Sequence, residues 1–183
     1  APDVERPQRV VAGRRRFVLF PPAQTGNLYP GPLNFTPAGA PTSLVDLNHP
    51  DFERYPRFET ALANAYSAEL GPGGAIFIPM LGWHHVESLE KVNALMNYWW
   101  NGSSAKAANP PSPIDSLNIA LLAMRDLSQE QRNAWRHLFD HYLFKQGVDP
   151  ASYIPEHQQH VLGPISPDYA RAIKDHFVEK LKR

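Results

Sequence analysis

Two adjacent histidines, His84 and His85, follow a short apolar segment that ends at Pro79. Imidazole binds iron, zinc or copper through a neutral ring nitrogen, and the end of a strand holds such a ligand rigidly. Neighbouring residues on a strand point to opposite faces, so only one of these two rings can face the interior. Two histidines do not complete a coordination sphere, so the spacing alone favours a hydrogen-bonded core histidine beside an exposed one over a metal site.

Three consecutive arginines, Arg14 to Arg16, follow Gly13 between two apolar segments. Such a cluster in a neutral chain typically forms a solvated turn with carboxylate partners. One of the three can instead point inward from a strand and bind a carboxylate ligand bidentately. The glycines in residues 71–74 are not followed by the Lys-Ser/Thr helix start of a P-loop, and no Gly-x-Ser-x-Gly element is present.

The composition excludes several classes of protein. With 18 basic and 18 acidic residues the chain has no net charge, so we expect no nucleic-acid partner and no anionic membrane partner. The sequence has no apolar run long enough for a transmembrane helix. The absence of cysteine excludes disulfides, thiolate metal sites and cysteine nucleophiles. We take the cytoplasm as the default location.

The elements that must position these residues fall into two regions, 1–111 and 112–183. The first is rich in short apolar segments separated by many of the 19 prolines, which favours short strands and long loops. Its predicted strands include residues 9–12, 16–20, 75–79 and 94–100, and a short helix is predicted over 58–66. The second region is helical, with predicted helices over 112–125 and 129–145 and another that begins at Ser166.

The order of several motifs resembles that of the cupin-like JmjC oxygenases. The motifs that carry the resemblance lie within residues 13–22, 28–30, 48–56, 71–79, 83–89 and 97–99. The resemblance implies a mainly β fold, a double-stranded β-helix of the jelly-roll or cupin type, followed by C-terminal helices. It also implies two cofactors, Fe(II) held by a His-x-Asp pair with a distal histidine, and 2-oxoglutarate held by a basic residue.

Individual site residues follow from the same resemblance. His84 falls at the distal iron ligand, and we therefore expect His84, not His85, to face the interior. Arg15 falls at the basic 2-oxoglutarate anchor, and Asn97 and Trp99 lie near the cosubstrate. We expect Arg15 and Asn97 to point into the same cavity as His84.

The chain departs from the family pattern where the His-x-Asp pair is expected. Ala1 stands where the histidine belongs, and Asp3 is the candidate carboxylate ligand. The strands that normally precede the pair are missing, so the resemblance describes the C-terminal part of such a protein. The leading interpretation is an Fe(II)- and 2-oxoglutarate-dependent oxygenase that hydroxylates a protein side chain or a small molecule. The alternatives are a catalytically inactive cupin-like binding module and, more weakly, a zinc-dependent or sugar-binding cupin.

Two helical stripes in the second region predict a homodimer. One helix carries large side chains on one face, and so does the last helix: Trp135, Leu138, Phe139, Tyr142 and Leu143 in the first, and Tyr169, Ile173, Phe177 and Leu181 in the second. Short helices cannot bury so many large side chains among themselves, and exposed apolar patches of this size usually mark an interface. The alternative is that the stripes pack on the chain's own barrel.

Overall fold

Six short strands form two three-stranded antiparallel sheets within residues 6–33, 41–98 and 112–182, which are the residues described by the computed structural model. The strands are β1 (Arg6–Ala12), β2 (Arg15–Phe20), β3 (Tyr66–Leu70), β4 (Ala75–Ile78), β5 (Trp83–Ser88) and β6 (Ala94–Asn97). The first sheet has the order β4-β1-β6 and the second has the order β3-β2-β5. Because the chain passes repeatedly between the two sheets, its winding is that of a jelly roll. The mainly β, cupin-like fold with C-terminal helices is confirmed.

The second sheet has two distinct faces because side chains alternate along each strand. On the inner face, Phe17 of β2 has no exposed surface, and it pairs with Val86 of β5 and Ala68 of β3. On the outer face, Phe20 is 5% exposed and pairs with Trp83. We use these two names for the faces below.

The first sheet also buries one face. Gln8 and Val10 of β1 and Ile78 of β4 are all at most 5% exposed, and the pleat places them on the same side. The opposite side of this sheet carries exposed apolar residues, among them Phe77 of β4 and Met96 of β6. The buried side is therefore the interior side of the sheet.

A layer of loop and short helix covers the outer face of the second sheet. Its buried cluster consists of Phe20, Leu28, Val45, Phe58 and Ala61. The helix α1 (Phe58–Ala63) supplies two of these residues, and the neighbouring 3₁₀ helix spans Pro22–Asn27. The indole Nε1 of Trp83 donates a 2.9 Å hydrogen bond to Oγ1 of Thr25, which ties this layer to β5. The segment between β2 and α1, one of the long loops that the prolines favour, thus covers this face where it is described.

The C-terminal region contains the helices α2 (Pro113–Met124), α3 (Gln129–Tyr142) and α4 (Pro167–Leu181). Ser112, Ser128 and Ser166 cap their N-termini through side-chain oxygens that accept backbone N–H groups, as the sequence predicts. The helix α3 ends three residues earlier than the predicted Lys145. Lys145 has a φ of 49° and the N–H of Gln146 donates to the carbonyl of Asp140, and both features stop the α-helical pattern.

The chain divides into two units, Ala1–Ser103 and Ser104–Arg183. The boundary predicted between residues 111 and 112 stays a prediction. Within 112–182, Pro150 is the only buried residue, and it opens a 3₁₀ helix whose N-cap is Asp149. Among the described helices, none has the length and apolar character to span a membrane.

Candidate functional site

The pleat of β2 separates the three consecutive arginines. Arg14 and Arg16 lie at the surface and pair with carboxylates. Nε of Arg14 is 2.9 Å from a carboxylate oxygen of Glu90. The guanidinium of Arg16 lies 2.9 Å from Glu69 and 3.1 Å from Glu87. The hydrogen bond from Arg16 to Glu69 and the charges of both glutamates raise the pKa of Arg16 above its ordinary value. Two of the three arginines therefore form the solvated carboxylate pairs that the sequence suggests for such a cluster.

Arg15 differs from its two neighbours because it lies on the inner face and is half-buried. Its Nε donates a hydrogen bond to Oδ1 of Asn93, which immediately precedes β6 of the other sheet. Within the described ranges it makes no ion pair with a carboxylate. A half-buried guanidinium whose protein partner is a neutral amide retains its full positive charge for an anionic ligand.

His84 lies on the same inner face, opposite Leu19 of β2. Its Nδ1 is 3.1 Å from the carbonyl oxygen of Gly82. A carbonyl can only accept a hydrogen bond, so Nδ1 is the donor in this contact, and a neutral imidazole that donates from Nδ1 binds a metal through Nε2.

The turn before β5 fixes that carbonyl. The N–H of Gly82 donates to the carbonyl of Pro79 at 2.9 Å, and Leu81 between them has a φ of 59°. A Cβ at position 82 would lie 2.9 Å from the Pro79 oxygen, so this tight turn requires glycine there. The backbone that receives the His84 hydrogen bond is therefore held by the turn itself.

His85 faces the other way. It pairs with Val18, which packs on the outer cluster, and among the residues that the structure describes its buried Nε2 has no hydrogen-bond partner. The register therefore places His84 on the inner face and His85 on the outer face. The two rings therefore lie on opposite faces, as strand alternation predicts, and the role of His84 as the metal ligand stays a prediction.

Asn97 lies on the other sheet, at the end of β6, where it pairs with Gln8 of β1. It is exposed, whereas Gln8 is 5% exposed, and its buried Oε1 has no hydrogen-bond partner in the described part of the chain. Arg15 and His84 share one face of the second sheet, and the Arg15–Asn93 hydrogen bond links that face to the segment before β6. No described contact joins Asn97 to either of them, so the shared cavity stays a prediction.

Two of the expected site residues, Asp3 and Trp99, lie outside the described residues. Within the described ranges, no group of three or more histidine, aspartate or glutamate side chains is arranged to hold a metal ion. The described part of the site therefore contains one candidate metal ligand, His84, and one candidate anion anchor, Arg15.

Sequence reasoning missed Asn93 and Gln8. Asn93 has no recognisable motif, and its contact with Arg15 joins residues 78 positions apart. Gln8 gives no local signal either, because β1 mixes polar and apolar residues and the burial of Gln8 appears only in the fold.

Residues 8–106 match the model of the family described as a cupin-like domain. The chain belongs to this cupin-like family of JmjC proteins, which includes 2-oxoglutarate oxygenases.

Curated relatives agree with this assignment. The chain is 34% identical to the lysine-specific demethylase JMJ31 of Arabidopsis thaliana over 72% of its own length and 23% of that protein. It is 32% identical to human HSPB1-associated protein 1 over 68% of its length and 25% of that protein. It is also 31% identical to the tRNA wybutosine-synthesizing protein 5 of Gallus gallus, over 67% of its length and 39% of that protein. The chain thus spans about a quarter of the first two relatives.

Proposed function

We propose that the chain carries the cosubstrate-binding part of an Fe(II)- and 2-oxoglutarate-dependent oxygenase that hydroxylates a protein side chain or a small molecule. The observation that carries this proposal is the position of Arg15 and its lack of a described carboxylate partner. Of three adjacent arginines it alone lacks a carboxylate partner among the described residues, and it alone lies on the inner face. Membership of a family that includes 2-oxoglutarate oxygenases supports the same activity.

Arg15 binds the far carboxylate of the cosubstrate. Its Nε is engaged by Asn93, so the Nη groups are the donors that remain for a carboxylate. A charge-assisted, bidentate contact of this kind fixes both the position and the orientation of the ligand.

His84 is the metal ligand that the described residues supply. Iron, when bound, supplies the oxygen chemistry of the reaction, and the protein supplies position and electrostatics. A neutral His84 ring that donates from Nδ1 to the Gly82 carbonyl binds the metal through Nε2.

Arg15 and His84 lie well apart on the inner face. Leu19, which pairs with His84, is four residues from Arg15 on β2, which is about 13 Å at the rise of a strand. The candidate anion anchor and the candidate metal ligand are therefore at separate ends of the site.

Among the described residues, Arg15 can thus bind the dicarboxylate at one end of the site, and His84 can bind the metal at the other. Asp3, the candidate carboxylate ligand, lies outside them. The names of the relatives refer to different reactions, lysine demethylation in one and the synthesis of wybutosine in tRNA in another. The proposal therefore names only the class of reaction and no particular substrate.

Calorimetric titration of 2-oxoglutarate into the full chain, loaded anaerobically with Fe(II), tests the proposal. The parent should bind, and Arg15→Ala should weaken binding by about 1.5–3 kcal/mol, the scale of a hydrogen bond to a charged group. Arg14→Ala is the matched control, because it removes the same side chain at an exposed position paired with Glu90. No binding by the parent, or equal binding by the Arg15 variant, would contradict the proposal.

A second candidate function is a cupin-like binding module without iron. The observation behind it is that the described residues supply a single candidate metal ligand on the inner face, His84. Such a module binds the dicarboxylate through Arg15 with an affinity that does not change when Fe(II) is omitted. The same titration, repeated without metal, separates the two candidates.

The cytoplasmic location and the homodimer stay proposals. The large side chains on α3 that predict the dimer, among them Trp135, Leu138 and Tyr142, are each about half exposed. This exposure is what a dimer interface requires of the isolated chain.

A further inference from the structure

We infer that Asn93 is a positioning residue that holds the Arg15 guanidinium so that its Nη groups receive the far carboxylate of a 2-oxo dicarboxylate. The inference rests on the proposed function, because it concerns the same anchor. Asn93 does not contact the ligand in this arrangement and acts through Arg15.

The side-chain amide of Asn93 is fixed by two hydrogen bonds. Its Oδ1 accepts from Nε of Arg15, and its Nδ2 donates to the backbone carbonyl of Arg14 at 2.8 Å. The two contacts need opposite ends of the amide, so they define its orientation. The same Arg14 carbonyl also accepts the N–H of Leu89 at 2.9 Å, which anchors this point of the backbone.

The turn between β1 and β2 leaves the space in which the Asn93 side chain packs. Gly13 in this turn has a φ of 70°, and a Cβ there would lie 2.7 Å from Nδ2 of Asn93 and closer still to the carbonyl oxygen of Val92. Only a residue without a side chain leaves room for Asn93 at this distance. The glycine turn, the asparagine and the arginine therefore form one unit built from two distant parts of the chain.

An amide is the suitable partner for an anchoring arginine. A carboxylate at this position would pair with Arg15 and neutralise it, as Glu90 does for Arg14 on the surface. A neutral acceptor occupies one donor, restricts the rotation of a flexible side chain, and leaves the charge uncompensated. Asn93 thereby reduces the ordering cost that the ligand would otherwise meet.

The test compares two ligands that differ only at the far carboxylate. 2-Oxoglutarate has this group, and 2-oxobutanoate has the same 2-oxo acid head without it. We expect Asn93→Ala in the full chain to weaken 2-oxoglutarate about tenfold, the scale of losing one hydrogen bond on a charged group. The affinity for 2-oxobutanoate should not change, and Asn93→Ala should add little in an Arg15→Ala background.

Two further variants sharpen the comparison. Asn64→Ala is the matched control, because Asn64 also donates to a backbone carbonyl, that of Thr60 at 2.9 Å, but lies at the end of α1. Asn93→Asp keeps the size of the side chain and serves where the alanine variant does not fold. Its carboxylate should pair with Arg15 and weaken 2-oxoglutarate at least as strongly.

A readout independent of affinity is the Nε–H signal of Arg15 in ¹⁵N NMR. It should exchange slowly with water in the parent and in Asn64→Ala, and rapidly in Asn93→Ala.

The outcomes separate this inference from the proposed function. If the parent binds 2-oxoglutarate and Asn93→Ala binds it equally well, the positioning role is overturned and the proposed function stands. If Asn93→Ala weakens both ligands alike, Asn93 has only a structural role and the inference is overturned. If the parent does not distinguish the two ligands, Arg15 is not the anchor, and both are overturned.

Discussion

Replacing Gly13 with alanine tests whether the turn between β1 and β2 supports Asn93. The backbone at Gly13 is left-handed, with a φ of 70°, and the added Cβ meets Asn93 and Val92. Gly73→Ala is the matched control for the backbone conformation. Gly73 also has a positive φ, of 87°, but a Cβ there would have no atom of a described residue within 4 Å.

The magnitude follows from the difference between these two sites. A non-glycine residue in the left-handed region costs about 1–2 kcal/mol, and both variants bear this cost. Gly13→Ala also displaces Asn93, which loses its hydrogen bond to the Arg14 carbonyl at a cost of about 1 kcal/mol. We therefore expect Gly13→Ala to destabilise the β unit by at least about 1 kcal/mol more than Gly73→Ala.

The assay is urea unfolding of the full chain, followed through hydrogen exchange of the β1 and β2 amides so that only the first unit is read. Gly26→Ala adds a baseline, because its Cβ would also have no neighbour within 4 Å in the described ranges and its φ is not in the left-handed region. Equal losses for Gly13→Ala and Gly73→Ala would show that the turn does not press on Asn93, and would refute the reasoning.

Three other predictions concern the core, pH and assembly. Phe17→Ala removes a side chain with no exposed surface and should lower the free energy of unfolding by about 3–5 kcal/mol in urea titrations; a loss below about 1 kcal/mol would contradict its place in the core. A hydrogen bond from Lys145 holds the pKa of Asp149 below its usual value of 3.8. The 3₁₀ helix capped by Asp149 should therefore keep the stability that this carboxylate contributes above pH 3.8 and lose that contribution as the pH falls through the lowered pKa. NMR of the Asp149 carboxyl carbon can follow the titration, and a titration midpoint at or above 3.8 would contradict this. The chain should sediment as a dimer at micromolar concentration, and the double variant Leu138→Arg/Phe139→Glu should sediment as a monomer. A monomeric parent would contradict the homodimer.

The sequence predicted the elements that local chemistry defines. The capping serines and the prolines that follow two of them set the starts of the helices within one or two residues, because these signals act on neighbouring backbone groups. The strand β6 is shorter than predicted where it is described, since its ladder to β1 ends at Asn97. The end of a strand depends on its partner, and an apolar run alone does not show where pairing stops.

From the residues alone, the site was predictable only as far as single strands determine it. Alternation along β5 explains why His84 and His85 lie on opposite faces, and the family resemblance selected His84 and Arg15. The contacts that distinguish Arg15 from Arg14 and Arg16 involve glutamates 53 to 76 residues away, which no local pattern shows. Asn93 was missed for the same reason, since its role exists only after distant segments meet.

The near absence of buried residues in the described part of the C-terminal unit has a consequence for the lifetime of the protein. Pro150 is the only buried residue in 112–182, so each helix there can open at little cost in apolar contacts. Proteases cleave chains that open transiently, and the rate of cleavage follows the population of the open form. Degradation should therefore begin in this unit while the β sheets are still intact. Any partner that covers the helices would lengthen the half-life, by an amount that depends on the concentration of that partner.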